Sequence, residues 1–170
     1  NSNKVYNPNQ AKFLMRKRED YDFYIFMDYS ENLLGYTIIS QKKMLELIPK
    51  ISKFSHFKSH KNKKVYLQHI RKTIRRESIL SFFEKIKIDK VNKNVDLFIE
   101  ILQFIKRHNN CVLFLCVDDY QFRKLRKLIS LIDRENTDVR RESELKKGTP
   151  EYQTSLVIDN LLNIERLREK

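Results

Sequence analysis

The spacing of apolar and polar residues changes period several times along the chain, and each change marks an element. Residues 21–27 (YDFYIFM) are aromatic and β-branched and end on Asp28, which predicts a buried strand. Asp28-Tyr-Ser-Glu-Asn predicts a turn, and residues 35–39 (GYTII) a second strand that closes a hairpin. From Ser40 the period becomes helical through Met44, Leu45, Leu47 and Ile48, with Ser40 as a cap and Pro49 as a kink or stop. Residues 52–64 read as a basic loop, 65–70 as a third strand, and 79–86 as a helix or turn. Val95, Phe98, Ile101, Leu102 and Ile105 define an amphipathic helix that ends near His108.

The run CVLFLCVDD, residues 111–119, is the most strand-like in the chain and is apolar on both faces, as a central parallel strand must be. A helix is predicted over residues 121–133, a polar edge strand over 137–145, and a last helix opened by Thr149-Pro150 and carrying Leu156, Val157, Leu161, Ile164 and Leu167. A helix leading into a doubly apolar strand and then another helix predicts a parallel sheet covered on both faces, and so an α/β class. The expected organisation is a loose arm over residues 1–20 and one α/β domain over 21–170.

Composition narrows the chemistry. With only two glycines among 170 residues, Gly35 and Gly148, neither a GxGxxG nor a GxxxxGK[ST] phosphate cradle can be written. No apolar run approaches the roughly 20 residues that a membrane-spanning helix needs, so no membrane partner is expected. Cys111 and Cys116 lie five apart, and on one strand they would point to opposite faces, which excludes a bond between them. A reducing, cytoplasmic setting is the expectation. The first residue is Asn1, as in a trimmed or processed chain, and no targeting is read from it.

The net charge of +13 is not spread evenly. Residues 41–94 hold sixteen Lys and Arg against four acidic residues, which places +12 in that middle third. Lys58, Lys61, Lys63, Lys64, Arg71, Lys72, Arg75 and Arg76 are the candidate contacts to DNA or RNA phosphates, because each cation that meets a phosphate releases condensed counterions. Phe54, His56, Phe57, His60, Tyr66 and His69 are interleaved with them and offer faces for unpaired bases. The alternative reading of the segment is a solvated helical face that adds only solubility.

Ligands of open α/β sheets collect beyond the carboxyl ends of the strands. Asp28 closes the first aromatic strand there, and Asp118 with Asp119 closes the most apolar one. Carboxylates brought side by side repel unless a cation lies between them, and Mg2+ or Mn2+ held that way suits phosphodiester hydrolysis. Taken singly, Asp28 reads equally well as a turn residue and Asp118 as a helix cap. Asp159 lies in an otherwise apolar helical run, where a charge needs water, a partner or a metal.

These residues together resemble the ribonuclease-H-like superfamily: an Asp at the end of a hairpin's first strand, an acidic residue in the helix before the most buried strand, an Asp ending that strand, and an Asp in the last helix. Within it the chain is most similar to proteins whose first strand runs into Asp-Glu-Ser-Gly and whose last helix carries Leu-Gln-Leu-Ala-Asp. Here those places hold Asp28-Tyr29-Ser30-Glu31 and Ser155-Leu156-Val157-Ile158-Asp159. Tyr29 replaces the family's glutamate and Glu31 its glycine. The resemblance implies a ribonuclease-H-like mixed sheet with a basic insertion, metal ligands at Asp28, Asp118 and Asp159, a further catalytic carboxylate at Glu100, and two-metal nuclease chemistry. Its rivals are a non-catalytic nucleic-acid-binding subunit of the same fold, an interaction domain whose basic segment meets an acidic partner, and a PIN-like nuclease. The last requires a helix, rather than a second antiparallel strand, directly after Asp28.

Overall fold

The structure, a computed structural model, describes residues 21–116, 118–133 and 137–168. The expected arm over residues 1–20 lies outside them. Five strands form one mixed sheet in the order β3-β2-β1-β4-β5. β1 (Phe23–Ser30) and β2 (Leu33–Ser40) pair antiparallel from Phe23↔Ser40 to Ser30↔Leu33, and β3 (Lys85–Lys90) continues antiparallel from β2. On the other side β4 (Cys111–Leu115) runs parallel to β1, and β5 (Asp138–Arg141) parallel to β4. The α/β class follows the sequence pattern, and the sheet is parallel only from β1 through β4 to β5. The antiparallel strand that directly follows Asp28 removes the PIN-like order.

Side-chain alternation divides the core into two layers. Tyr24, Phe26, Ile39, Val112 and Phe114 face α1 (Gln41–Leu47), α2 (Lys63–Arg76) and α5 (Pro150–Arg168). Ile25, Met27, Tyr36, Ile38, Leu113 and Leu115 face α3 (Asn94–Arg107) and α4 (Asp119–Asp133). Most of these side chains are fully buried, and each large one stabilises the fold by about 1.5–3 kcal/mol. No helix among the described residues is long and apolar enough to cross a membrane. Cys111 and Cys116 are both free thiols.

The caps at Ser40 and Thr149 form as the sequence predicts: Ser40 Oγ accepts from the Lys43 N–H at 3.3 Å, and Thr149 Oγ1 from the Tyr152 N–H at 3.2 Å, with Pro150 opening the helix. Elsewhere the reading changes. Residues 65–70 belong to α2, not to a strand. Asn62 caps that helix through its bond from the Val65 N–H, and Tyr66, Leu67, Ile70, Thr73 and Ile74 form its buried face. Residues 79–82 form a short 3-10 helix, within the stretch expected as helix or turn, and the third strand, β3, starts just after it at Lys85. Its Lys-Ile-Lys-Ile-Asp-Lys alternation turns Ile86 and Ile88 to one face and leaves lysines along the other, as suits an edge strand. β1 also runs through the expected turn to Ser30, so Asp28 lies inside the strand opposite Gly35, and the turn is only Glu31 and Asn32. The basic segment is therefore woven into the domain rather than looped out from it.

Candidate metal centre and nucleic-acid interface

Register builds the site. Parallel pairing of Met27 with Leu115 and of Leu115 with Arg141 puts the next residues, Asp28, Cys116 and Glu142, in one row across the carboxyl ends of β1, β4 and β5. The alternation of each strand turns all three toward the layer of α5. One ligand atom from each, a carboxylate oxygen or Sγ, lies within 4.8 Å of the others. The Cys116 N–H donates to the Met27 carbonyl at 3.2 Å, which fixes the β4 end of the row.

Asp159 comes down on this row from α5, and the close approach of the helix depends on Gly35. A Cβ at position 35 would lie 2.8 Å from Ile158 Cδ1, 3.0 Å from Ile88 Cγ1 and 3.1 Å from the Lys87 carbonyl. The Asp159 carboxylate accepts the Phe57 N–H at 3.1 Å and stands 3.8 Å from His56 Nδ1. That answers the need for a partner which its apolar surroundings implied.

The electrostatics of the row are those of neighbouring carboxylates. Burial, then the charge of Glu142 and that of Asp159, push the Asp28 carboxyl up to about 7, against the opposing bond from the Tyr29 N–H. Burial and the hydrogen bonds to Glu142 and Asp28 raise the Cys116 thiol far above its ordinary value. The thiol is thus a neutral donor between two acids rather than a nucleophile. Burial is also the first cause that holds the Tyr29 phenol up, with Cys116 and Asp118 adding to it.

Two of the four sequence-predicted acids meet here and two do not. Asp28 and Asp159 converge. Asp118 is exposed at the start of α4, its carbonyl accepting the Phe122 N–H at 2.9 Å, because β4 stops at Leu115 and the chain has already left the sheet. Glu100 faces the opposite side of the sheet. There it accepts from the Tyr36 hydroxyl at 2.6 Å, is bonded by Lys87 and sits 3.5 Å from Lys85. Its burial would raise its pKa, but the bonds from Lys87 and Tyr36 and the charge of Lys85 outweigh that and hold it below the usual range. It is the anchor of edge strand β3. Cys116 and Glu142 take the places in the row that the sequence had not marked. The signal for Cys116 was that it, not Asp118, follows the five-residue apolar core of β4.

The eight candidate phosphate contacts are all exposed on the same side of the sheet as this row. Lys58 lies in the turn Phe57–Ser59, Lys61 just before α2, and Lys63 and Lys64 in its first turn, whereas Arg71, Lys72, Arg75 and Arg76 lie on its last two turns. From Lys63 to Arg75 the helix rises about 18 Å. Phe57 joins the two features. Its N–H binds Asp159, and its ring has Lys63 Nζ 5.8 Å and Arg166 Cζ 5.6 Å from the centroid.

No known protein family matches the chain, and no curated protein matches it at a significant level.

Proposed function

We propose that this is a ribonuclease-H-like domain that binds nucleic acid and hydrolyses phosphodiesters with divalent cations held by Asp28, Glu142 and Asp159. The observation that carries the reading is the row of Asp28, Cys116 and Glu142 at three adjacent strand ends, with Asp159 above it and basic α2 beside it. Three further features support it. Asp28 sits in the first strand of a hairpin beside an apolar parallel strand, and the last helix brings its Asp to it, as the resemblance implies. Position 31, where the family has glycine, takes a φ of 53°, in the left-handed region that favours glycine. Finally, α2 has Lys63 and Lys64 in its first turn and no acid there, an arrangement that the helix dipole disfavours and that an anionic ligand would offset.

The donor set fits a divalent cation, since a buried carboxyl held near neutrality by its acidic neighbours ionises when a cation arrives. A thiol in place of a third oxygen suits Mn2+ better than Mg2+, which takes oxygen ligands in strict octahedral geometry. Such an ion supplies Lewis-acid stabilisation of the phosphate and lowers the pKa of bound water. Asp28 and Glu142 would hold it from the sheet and Asp159 from α5, with the Phe57 N–H fixing the Asp159 carboxylate. Cys116 is a neutral thiol in the metal-free protein and would give up its proton on ligating the ion. The basic face of α2 would draw the polyanion to the site.

The test is cleavage of labelled DNA and RNA in Mn2+ and in Mg2+ by wild type, Asp28→Asn and Asp159→Asn. Metal-dependent cleavage lost in both variants supports the reading, and no cleavage of any substrate by wild type refutes it. The non-catalytic alternative is favoured by Cys116, which stands where a carboxylate would complete an all-oxygen set. In that case binding persists with no turnover.

A further inference from the structure

We propose that the strand-end site takes single-stranded nucleic acid and excludes duplex, an inference that rests on the nuclease reading. The first ground is depth. Asp28 is 7 % exposed and the Asp159 side chain 15 %, so little of either carboxylate is open to a bulky substrate. The segment beside Asp159 is tied down. Gln153 Nε2 donates to the Ile51 carbonyl at 2.6 Å and the Phe54 carbonyl at 2.9 Å, and Asn160 Nδ2 to the Ser55 carbonyl at 3.1 Å. With the Phe57–Asp159 bond, these tie residues 51–57 to α5 beside the row.

Charge on the rim is one-sided. Toward α2 and the end of α5 lie Lys58, Lys63 and Arg166, the last held by Glu31 at 3.1 Å and by Asn163 at 2.9 Å. Across the row, at the ends of β4 and β5, lie Asp118, Asp119, Glu142 and Glu144, beside Arg140 and Arg141, whose guanidiniums are bonded to Asp138 and Asp119. One strand can follow the cationic side with its phosphate turned toward the row. In a duplex the second backbone stands about 6 to 12 Å away across a groove, over the acidic side, where its phosphates are repelled.

Unpaired bases also find surfaces that a duplex cannot use. The His56 ring is 41 % exposed, meets Tyr152 edge-on with centroids 5.8 Å apart, and lies beside Asp159. Tyr120, just past the β4 end, is 72 % exposed. Aromatic faces at such positions stack on bases of any sequence, and only bases outside a helix present those faces.

The experiment uses the full chain carrying Asp28→Asn, in Mn2+, with fluorescently labelled single strands of DNA and of RNA and their duplexes. Anisotropy is expected to show single strands binding at least about tenfold tighter than duplexes, the worth of one stacked base. The DNA and RNA arms report which sugar is preferred. Lys63→Gln and His56→Ala, made separately, should each weaken single-strand binding several-fold and weaken duplex binding less. Equal or tighter duplex binding, or equal losses on both forms, overturns the proposal. Wild-type cleavage separates this from the parent reading. If duplex is cut as fast as single strand, the strand preference is wrong and the nuclease reading stands. If nothing is cut but single strands still bind tenfold tighter, the nuclease reading falls and the preference stands as a binding property.

Discussion

Replacing Asp28 by Asn should stabilise the metal-free protein at alkaline pH. In the unfolded chain this carboxyl titrates at its ordinary value of 3.8, whereas in the fold burial and the charges of Glu142 and Asp159 raise it to about 7. Between those values the folded state keeps a proton that the unfolded state has lost, so stability falls as pH rises from about 4 to about 7 and stays low above that. Three units at about 1.4 kcal/mol each make the penalty about 4 kcal/mol. Asn is neutral throughout and can still accept the Tyr29 N–H. The variant should therefore match wild type near pH 4 and exceed it by up to about 4 kcal/mol at pH 8 in chelator, on the order of 10 °C in melting temperature for a chain of this size. Urea unfolding across that pH range, with the difference between the two proteins plotted, isolates Asp28 from other titrating groups. Mn2+ should restore wild type at pH 8 and leave the variant unmoved. A difference that stays flat with pH, or a variant less stable than wild type at pH 8 in chelator, would refute the picture of buried carboxylates awaiting a cation.

Other predictions follow from single contacts. Gly35→Ala forces Ile158, Ile88 and the Lys87 backbone to give way, and should cost about 1–3 kcal/mol in chemical denaturation while weakening metal binding through displacement of Asp159. Cys116→Asp completes an oxygen donor set, so metal titrations should show the preference for Mn2+ over Mg2+ narrowing, whereas Cys116→Ala should leave it weak for both. Neutralising Lys58, Lys61, Lys63 and Lys64 together should reduce the salt dependence of nucleic-acid binding by up to about four in log-log slope. The same treatment of Arg71, Lys72, Arg75 and Arg76 should reduce it less, because those lie up to about 18 Å farther along α2.

Much of the framework was legible in the chain because hydrophobic periodicity is a local signal. The aromatic β1, the doubly apolar β4 and the capped last helix all formed from the segments their patterns marked, with β1 running on to Ser30 and β4 stopping at Leu115. The errors lay where local and tertiary signals compete. Val65, Tyr66 and Ile70 are strand-favouring residues, yet Asn62 caps the segment and the buried face recurs at helical spacing as far as Ile74. In β3 the alternating lysines hid a strand whose partners, β2 on its edge and Glu100 on its far face, are distant in sequence. Half of the candidate site was legible for a similar reason. Asp28 and Asp159 stand out against apolar neighbours. Cys116 and Glu142 become site residues only through register, which depends on β4 ending at Leu115 rather than two residues later, and no single segment encodes that. The same two-residue difference leaves Asp118 outside the row, just before α4.

That difference gives the sharpest test. Glu142→Gln and Asp118→Asn remove the same charge from neighbouring strand ends, and only the first lies in the row with Asp28 and Cys116. Mn2+ titration of each variant by calorimetry, paired with cleavage of labelled single strands, compares them directly. The account predicts that Glu142→Gln loses metal binding and cleavage together, and that Asp118→Asn retains both within a few-fold of wild type. Loss in Asp118→Asn with retention in Glu142→Gln would contradict it.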